Sequence, residues 1–429
     1  MRRMMCGMAR VAVVALALTS IGFAATDWPR WRGPKLDALS TETGLLKEWP
    51  EGGPSLAWKM NGLGVGYSSI AIVGDRFYTM GDLAADGGRR QFLIAFDLKT
   101  RKELWRAEVG PPHGDGSRCT PTVDDGLVYG IGSSGDLVCA QAATGKIVWR
   151  KSFAKDFGGR MMSGWRYSES PLVDGEKLVC TPGGRDAMMA ALNKKTGATL
   201  WKCAMPSIGG RGKDGAGYSS IVISEGAGVR QYVTLVGRGV ISVRAADGKF
   251  LWGYNKVANG VANIPTCVPA GDHIFCSSAY GTGSALLKLE LKDDSVVAQE
   301  VYFLDARTFQ NHHGGFVLVG DHIYGGHGHN AGTPICVELE TGKVAWTGKQ
   351  AGRGSAAVLY ADGHLIFRYQ KSEVALFEAT PEGCKLKGTF STPREPGTRG
   401  NSWSHPVVHD GKLYIRHADV LFCYDVKPR

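Results

Sequence analysis

The chain has 429 residues, a net charge of +10 and 60 glycines, about twice the average glycine content. The basic residues are spread along the chain without a run of five like charges, which argues against a nucleic-acid-binding protein. The glycines are scattered beside Asp, Lys and Ser, so the composition indicates many tight turns and favours an all-β chain.

The first 25 residues have the features of a secretory signal. Arg2, Arg3 and Arg10 form a positive start, residues 11–18 are continuously apolar, and small residues follow at positions 22–25. The apolar run is well short of the roughly 20 residues that span a bilayer. We therefore expect an exported protein, periplasmic or extracellular, with no transmembrane segment.

A repeated segment runs through most of the chain. It is an apolar alternating strand, a turn of the Thr-Gly type and a second strand that ends in Trp. Ungapped copies occupy residues 95–105, 139–149, 191–201 and 336–346, and a shorter copy occupies residues 243–252. A second type of hairpin with an Asp-Gly turn occupies residues 120–130, 170–180, 357–367 and 405–415. Together they make a unit of four short strands, which is typical of a propeller blade.

The repeats predict a closed ring of eight blades. The units begin near residues 67, 118, 168, 218, 264, 313, 355 and 403. The eighth unit stops after three strands, and residues 54–60, which include Trp58, supply the missing fourth strand from the other end of the chain. We therefore predict an all-β, eight-bladed propeller of four-stranded antiparallel blades over residues 54–429, with its last blade closed by an N-terminal strand. A signal at residues 1–25 and an extension at residues 26–53 precede it.

The blade ends carry the string A-x-D-x-x-T-G-x-x-x-W, which resembles the repeat of the pyrroloquinoline-quinone (PQQ)-like β-propeller family. Residues 28–34, WPRWRGP, are similar to the mature start of exported members. The family includes PQQ-dependent dehydrogenases and non-catalytic exported propellers of the BamB type. The resemblance implies that the repeat tryptophans pack between blades and do not bind a ligand. These tryptophans are Trp58, Trp105, Trp149, Trp201, Trp252 and Trp346.

The resemblance implies two functions. Family enzymes hold PQQ over a divalent cation such as Ca²⁺, which prefers oxygen ligands, and larger members place a vicinal disulfide above the quinone. This sequence has no adjacent cysteine pair and no CxxCH haem motif, and no position matches the family's metal ligands or catalytic Asp. We therefore favour a non-catalytic binding or scaffolding module for a protein or glycan partner. The alternative is a PQQ- or metal-dependent oxidoreductase similar to the alcohol dehydrogenases.

One face of the predicted ring is rich in Arg, His and aromatic residues. The first strand of a blade starts there and the second strand ends there, so these residues should converge near the central channel. Such a funnel suits an anionic or aromatic partner. The candidates are Tyr67, Arg118, Arg166, Arg185, Tyr218, His313, Trp403 and His405, with Trp165, His312 and His329 beside them.

Several histidines on this face are candidate metal ligands. His313, His327 and His417 could together hold a transition metal with an open position, as in catalytic zinc sites. The alternative is that scattered loop histidines form hydrogen bonds to the backbone of a glycine-rich blade.

Overall fold

The computed structural model describes residues 27–428 except Asp294 and Arg399, and the predicted signal at residues 1–25 lies outside this part of the chain. The described residues form eight antiparallel blades, built mainly from consecutive strands. The alternating apolar pattern and the short turns thus produce the all-β, eight-bladed propeller that the repeat predicts.

Two strands precede the first blade, and each of blades 1 to 4 contains four consecutive strands. The preceding strands are β1 (Leu39–Ser40) and β2 (Leu56–Met60). The strands of blades 1 and 2 are β3 (Ala71–Val73), β4 (Arg76–Ala85), β5 (Gly88–Asp97), β6 (Glu103–Gly110), β7 (Thr122–Asp124), β8 (Leu127–Ile131), β9 (Asp136–Gln141) and β10 (Ile147–Ser152). Those of blades 3 and 4 are β11 (Leu172–Asp174), β12 (Lys177–Cys180), β13 (Met189–Asn193), β14 (Thr199–Cys203), β15 (Val222–Ser224), β16 (Gln231–Val236), β17 (Gly239–Arg244) and β18 (Phe250–Tyr254).

Blades 5 to 7 repeat this order, and blade 8 has three strands of its own. Those of blades 5 and 6 are β19 (Val268–Ala270), β20 (His273–Ser278), β21 (Gly283–Lys292), β22 (Ser295–Asp305), β23 (Phe316–Val319), β24 (His322–His327), β25 (Thr333–Glu338) and β26 (Val344–Thr347). Those of blades 7 and 8 are β27 (Ala356–Ala361), β28 (His364–Tyr369), β29 (Glu373–Glu378), β30 (Leu386–Ser391), β31 (Val407–His409), β32 (Lys412–His417) and β33 (Val420–Asp425). A short helix, α1 (Phe153–Phe157), and a 3₁₀ turn (Gly226–Gly228) lie in loops.

The N-terminal strand closes the ring as predicted. Strand β2 pairs antiparallel with β33 and places Trp58 opposite Cys423. The seam between blades 8 and 1 is also bonded, because Ser69 Oγ donates to the His405 carbonyl at 2.7 Å. The core lies between blades, where the middle strands are covered on both faces. All six residues of β16 are buried for this reason.

Hydroxyl groups join successive blades near the axis. In four seams a backbone N–H at the start of one blade donates to a Ser or Thr hydroxyl at the same point of the next. The pairs are Ser69 N with Thr120 Oγ1 (3.1 Å), Thr120 N with Ser170 Oγ (3.0 Å), Ser170 N with Ser220 Oγ (3.0 Å) and Ser220 N with Thr266 Oγ1 (3.3 Å). Each bond fixes the position at which a first strand starts.

The repeat tryptophans pack against the turn of the following blade. Trp105 Nε1 donates to the Ala142 carbonyl at 3.0 Å, and a Cβ at the turn glycine Gly145 would lie 2.6 Å from the same indole. Trp149 and Trp346 donate to the equivalent carbonyls of Lys194 and Thr380. At Gly145 and Gly197, the turns that contact Trp105 and Trp149, glycine is therefore favoured both by the positive φ and by the close approach of the ring.

The other repeat tryptophans make different contacts from those of Trp105, Trp149 and Trp346. Trp201 packs on the turn glycine Gly248, whereas buried Trp252 donates to Gln231 of its own blade at 2.8 Å. The guanidinium carbon of Arg101 lies over Trp58, 5.6 Å from the centroid of the Trp58 ring. In blade 5, which lacks the repeat Trp, Tyr302 takes the place and donates to the Leu339 carbonyl at 2.7 Å.

Residues 27–40, here called the axial segment, run along the inner strands. Trp28 exchanges two backbone hydrogen bonds of 2.9 Å with Ile72 in blade 1, and the Pro29 carbonyl accepts from Val123 N in blade 2. Further along, β1 pairs in parallel with β27 of blade 7. The predicted extension therefore contributes an inner, fifth strand to blade 7 and crosses the central channel.

Candidate functional site

A cavity of about 410 Å³ opens at the face where the first strands start. Its size is that of a small-molecule pocket. Trp31 and Arg32 of the axial segment form its inner end. The aromatic lining is Trp31, Tyr67, Trp165, Tyr218, Tyr280 and Trp403, and the histidines are His312, His313, His329 and His405. Polar groups come from Ser168, Ser220, Thr266, Asn330, Gln370 and Asn401, and the cations are Arg32 and Arg118.

Arg32 is a buried cation at the inner end of the cavity. Its side chain is held by carbonyl groups: Nε donates to Leu36 at 3.2 Å, and Nη2 donates to Asp37 at 3.0 Å and to Phe316 at 2.7 Å. No carboxylate of the described residues forms an ion pair with it. Burial lowers the pKa of Arg32 to about 10, and the charge of Asp37 partly opposes this shift, so the guanidinium is charged at neutral pH.

The cavity wall is built from rings in contact. Trp403 lies 4.7 Å from Tyr67 and 4.2 Å from His313 between ring centroids. Its Nε1 donates to Gln370 Oε1 at 2.9 Å, which fixes the indole. At the mouth, Trp165 is 51% exposed. The wall therefore presents flat apolar faces that are held rigid before any ligand arrives.

Arg118 is the second cation of the wall. Its Nη2 donates to the Asp115 carboxylate at 2.8 Å, and its guanidinium lies 5.7 Å from the Tyr67 ring centroid. Its Nη1 lies 3.1 Å from His113 Nδ1. Arg118 is thus partly neutralised by a carboxylate, whereas Arg32 is bound only by carbonyl groups.

Three of the cavity histidines, His312, His313 and His405, are neutral near pH 7 because burial lowers their pKa values. His312 is bonded through Nδ1 to Ser355 Oγ at 2.9 Å and through Nε2 to Tyr280 OH at 3.0 Å. Burial lowers the pKa of His312 to about 3, with a further contribution from His329. Burial and the charge of Arg32 lower the pKa of His405 to about 3. These three histidines therefore add no charge at neutral pH, and Arg32 and Arg118 are the cations of the described lining.

Six of the eight predicted funnel residues line this cavity. They are Tyr67, Arg118, Tyr218, His313, Trp403 and His405. Arg166 and Arg185 do not line it. Arg166 is exposed with a positive φ of 69°. Arg185 is exposed in a loop that closes on itself through a Gly184 N to Ala187 carbonyl bond.

The predicted histidine triad is not brought together. His313 lines the cavity, but His327 does not, and its Nδ1 accepts from Gln310 N at 3.3 Å. His417 is buried next to Arg368, which contributes to lowering its pKa to about 4 after burial itself. Across the described residues no group of three His, Cys, Asp or Glu is arranged to hold a metal ion.

The cavity residues do not fit the calcium-held quinone of the dehydrogenases. No Asp or Glu of the described residues lines the cavity, whereas Ca²⁺ is held mainly by carboxylate and carbonyl oxygens. We therefore assign no residue to a metal-supported cofactor.

Sequence patterns did not reveal the inner end of the site. Trp31 and Arg32 lie outside the repeat, and Arg32 reaches the Phe316 carbonyl across 284 positions of sequence. Tyr280 follows the second strand of blade 5, at the same face as the predicted residues. Its position just after β20 could have identified Tyr280 as a candidate from the sequence. The signal was hard to recognise because blade 5 lacks the repeat Trp.

Comparison with known proteins identifies relatives of the chain. The profile of the family described as outer membrane protein assembly factor BamB matches residues 89–348. BamB of Shewanella oneidensis is 26% identical over 270 residues, which are 57% of this chain and 60% of that protein. The alignment thus covers less than two thirds of the relative.

Solved structures share the fold. BamB from Moraxella catarrhalis matches with a TM-score of 0.60 and 12% identity, over 87% of this chain and 99% of that one. Quinohemoprotein alcohol dehydrogenase from Comamonas testosteroni matches with a TM-score of 0.63 and 12% identity, over 94% and 81%. A europium-containing methanol dehydrogenase gives 0.63 at 11% identity, over 91% and 89%. At these identities the similarity is one of fold. In the described residues, no helix has the length and apolar character needed to cross a membrane.

Proposed function

We propose that this chain, which belongs to the PQQ-like propeller family of the outer membrane assembly factor BamB, is an exported, non-catalytic binding module. In this proposal residues 1–25 direct export, and the cavity between the first strands receives part of a macromolecule, either a glycan or a protein. A propeller supplies a rigid frame for such a site, because each blade is fixed by its neighbours on both sides.

The cavity itself carries the proposal. Its wall is rich in aromatic rings, its neutral polar groups include hydroxyls and amides, and Trp31 and Arg32 of the axial segment belong to its lining. Among the described residues, no carboxylate lines it that could serve as a metal ligand or as a general base. These properties favour recognition over chemistry, and they do not favour the oxidoreductase alternative.

A glycan array tests the proposal. The exported form of the protein is applied beside two variants, Trp403→Ala in the cavity wall and Leu200→Ala on the outer strand β14, where the leucine is 49% exposed. We expect the wild type and Leu200→Ala to bind at least one glycan class equally. Trp403→Ala should bind it about tenfold or more weakly, because a large aromatic contact is removed.

Two results would contradict this function. One is glycan binding that survives Trp403→Ala unchanged, which would place the site elsewhere. The other is dye-linked alcohol oxidation after addition of PQQ and Ca²⁺, which would establish the oxidoreductase alternative.

A further inference from the structure

We propose that the cavity binds the acidic sugar at the end of an anionic glycan, with the sugar carboxylate held by Arg32. This inference rests on the proposed binding function and names its ligand class. Its evidence is the arrangement of charge, rings and polar groups around the inner end of the cavity.

Arg32 has one donor nitrogen left for a ligand. Its Nε and Nη2 are used by the carbonyls of Leu36, Asp37 and Phe316. Its Nη1 donates to none of the described residues. Nη1 is also the atom closest to a Cβ placed on Gly315, a residue of the cavity lining, at 2.9 Å. The free edge of the guanidinium therefore faces the cavity.

A buried guanidinium without a carboxylate partner favours an anionic ligand. Arg32 is only 3% exposed, so water screens its charge weakly, and carbonyl groups compensate it only in part. Arg118 adds a second positive group in the wall, although Asp115 occupies one side of it. Asp37 and Asp115 act on Arg32 and Arg118 from outside the lining, and no Asp or Glu of the described residues lines the cavity itself, so the cavity side of both guanidinium groups attracts a ligand carboxylate.

The rest of the wall suits a sugar ring. The rings of Tyr67, Trp403 and Tyr280 suit the apolar side of a sugar ring. The amides of Asn330 and Asn401 suit its hydroxyl substituents, whereas the oxygens of Ser220 and Thr266 already accept the bonds between blades. The exposed indole of Trp165 marks an open mouth. A polymer can therefore enter by its end and leave its remaining units in solvent.

Calorimetric titration with a matched pair of ligands tests the inference. Tetragalacturonate is compared with its fully methyl-esterified form, which has the same rings without the negative charge. We expect the acid to bind at least about tenfold more tightly than the ester, because the ester loses the charge-assisted hydrogen bonds to the arginines. Acetate at equal charge concentration should not compete, because it lacks the rings.

Arginine variants distinguish specific binding by Arg32 and Arg118 from a general effect of the protein's positive charge. Arg32→Gln and Arg118→Gln should each weaken binding of the acid by about tenfold or more. Arg150→Gln is the control: Arg150 also donates to backbone carbonyls, those of Val109 and Glu108, but lies on the outer strand β10. If Arg32→Gln does not fold, as judged by circular dichroism, Arg118→Gln and the ester comparison remain decisive.

The outcomes distinguish this inference from the proposed function. Equal binding of acid and ester, or binding unchanged in both arginine variants, overturns the acidic ligand but leaves a glycan-binding cavity. Binding of a neutral glycan class with no binding of the acid also overturns it. If no glycan binds at all, the inference fails and so does the glycan form of the proposed function, whereas a protein partner is tested separately by crosslinking at the cavity.

Discussion

Arg368 and Arg416 occupy the same position in the second strands of neighbouring blades, yet only Arg416 has partners for all its donor groups. Each lies four residues beyond the start of its strand, after a two-residue turn. Arg416 of blade 8 donates to the Ala418 carbonyl in its own blade and, across the seam, to carbonyls and Thr79 Oγ1 within residues 63–80. Arg368 of blade 7 donates through Nη1 to the Tyr369 carbonyl, and its buried Nε and Nη2 have no partner among the described residues.

This difference predicts that the same substitution changes the stability of the protein very unequally at the two positions. Arg416→Met should destabilise the protein by roughly 3 kcal/mol or more, because several buried carbonyls lose their donor together. Arg368→Met should change stability by less than about 1 kcal/mol or increase it, because an apolar side chain replaces a poorly paired buried charge. Thermal unfolding at one scan rate measures both, and equal losses in the two variants would contradict the assignment.

The turn glycines offer a second matched pair. Gly145 and Gly126 both belong to blade 2 and have the same φ of 73°. A Cβ at Gly145 would lie 2.6 Å from Trp105, whereas a Cβ at Gly126 would meet nothing within 4 Å. Each alanine substitution costs about 1 kcal/mol in backbone strain, and Gly145→Ala should cost a further ~1–3 kcal/mol from overpacking. If the two variants melt at the same temperature, the Trp105 contact does not stabilise the seam.

Glu169 should make the stability of the propeller depend on pH. Burial raises the pKa of Glu169 to about 8, although hydrogen bonds from Thr181 N and Oγ1 oppose the shift. The folded protein therefore holds a proton that the unfolded chain releases near its ordinary pKa of 4.5. The stabilising contribution is complete below about pH 4.5, falls as the pH rises towards about 8, and is then lost.

The Glu169→Gln variant isolates this effect. Glutamine keeps an acceptor for Thr181 and cannot ionise. Between about pH 5 and about pH 8, the melting temperature of the wild type should therefore fall more than that of the variant. Parallel curves for the two proteins would show that Glu169 does not hold its proton in the folded state.

Calcium should not strengthen binding in the cavity. No Asp or Glu of the described residues lines it, so a divalent cation finds few of the ligands it prefers. We expect the affinity for tetragalacturonate, and any affinity for PQQ, to be the same in Ca²⁺ as in EDTA. A tenfold or greater gain for PQQ in Ca²⁺ would contradict the non-catalytic function, since it requires a metal site that the lining does not offer.

The sequence predicted the parts of the structure that repeat. Eight blades and the pairing of β2 with β33 follow from periodic strands and turns, which are local signals. The same register places Tyr67, Arg118 and Trp403 in the cavity lining, because each lies just before a first strand. Arg166 and Arg185 are exposed in loops outside the lining, because strand periodicity does not determine the path of a loop.

The axial segment could not be predicted from the same signals. Its residues form no repeat, and its contacts lie far away in sequence: Trp28 with Ile72, Arg30 with Val173 and Arg32 with Phe316. Part of the segment that the sequence marked only as an N-terminal extension therefore lines the candidate site. Tyr302 shows a related limit, because a different side chain preserves the docking contact after the repeat motif is lost.

Site-specific photo-crosslinking tests most directly whether the cavity is where this protein meets its partner. A photoreactive phenylalanine replaces Trp165 at the cavity mouth or, as the control, Leu200 on the outer strand, two positions of nearly equal exposure at 51% and 49%. In cells that export the protein, our account predicts adducts of increased mass from position 165, lost on addition of Trp403→Ala, and few or none from position 200. Adducts only from position 200, or adducts from position 165 that survive Trp403→Ala, would contradict it.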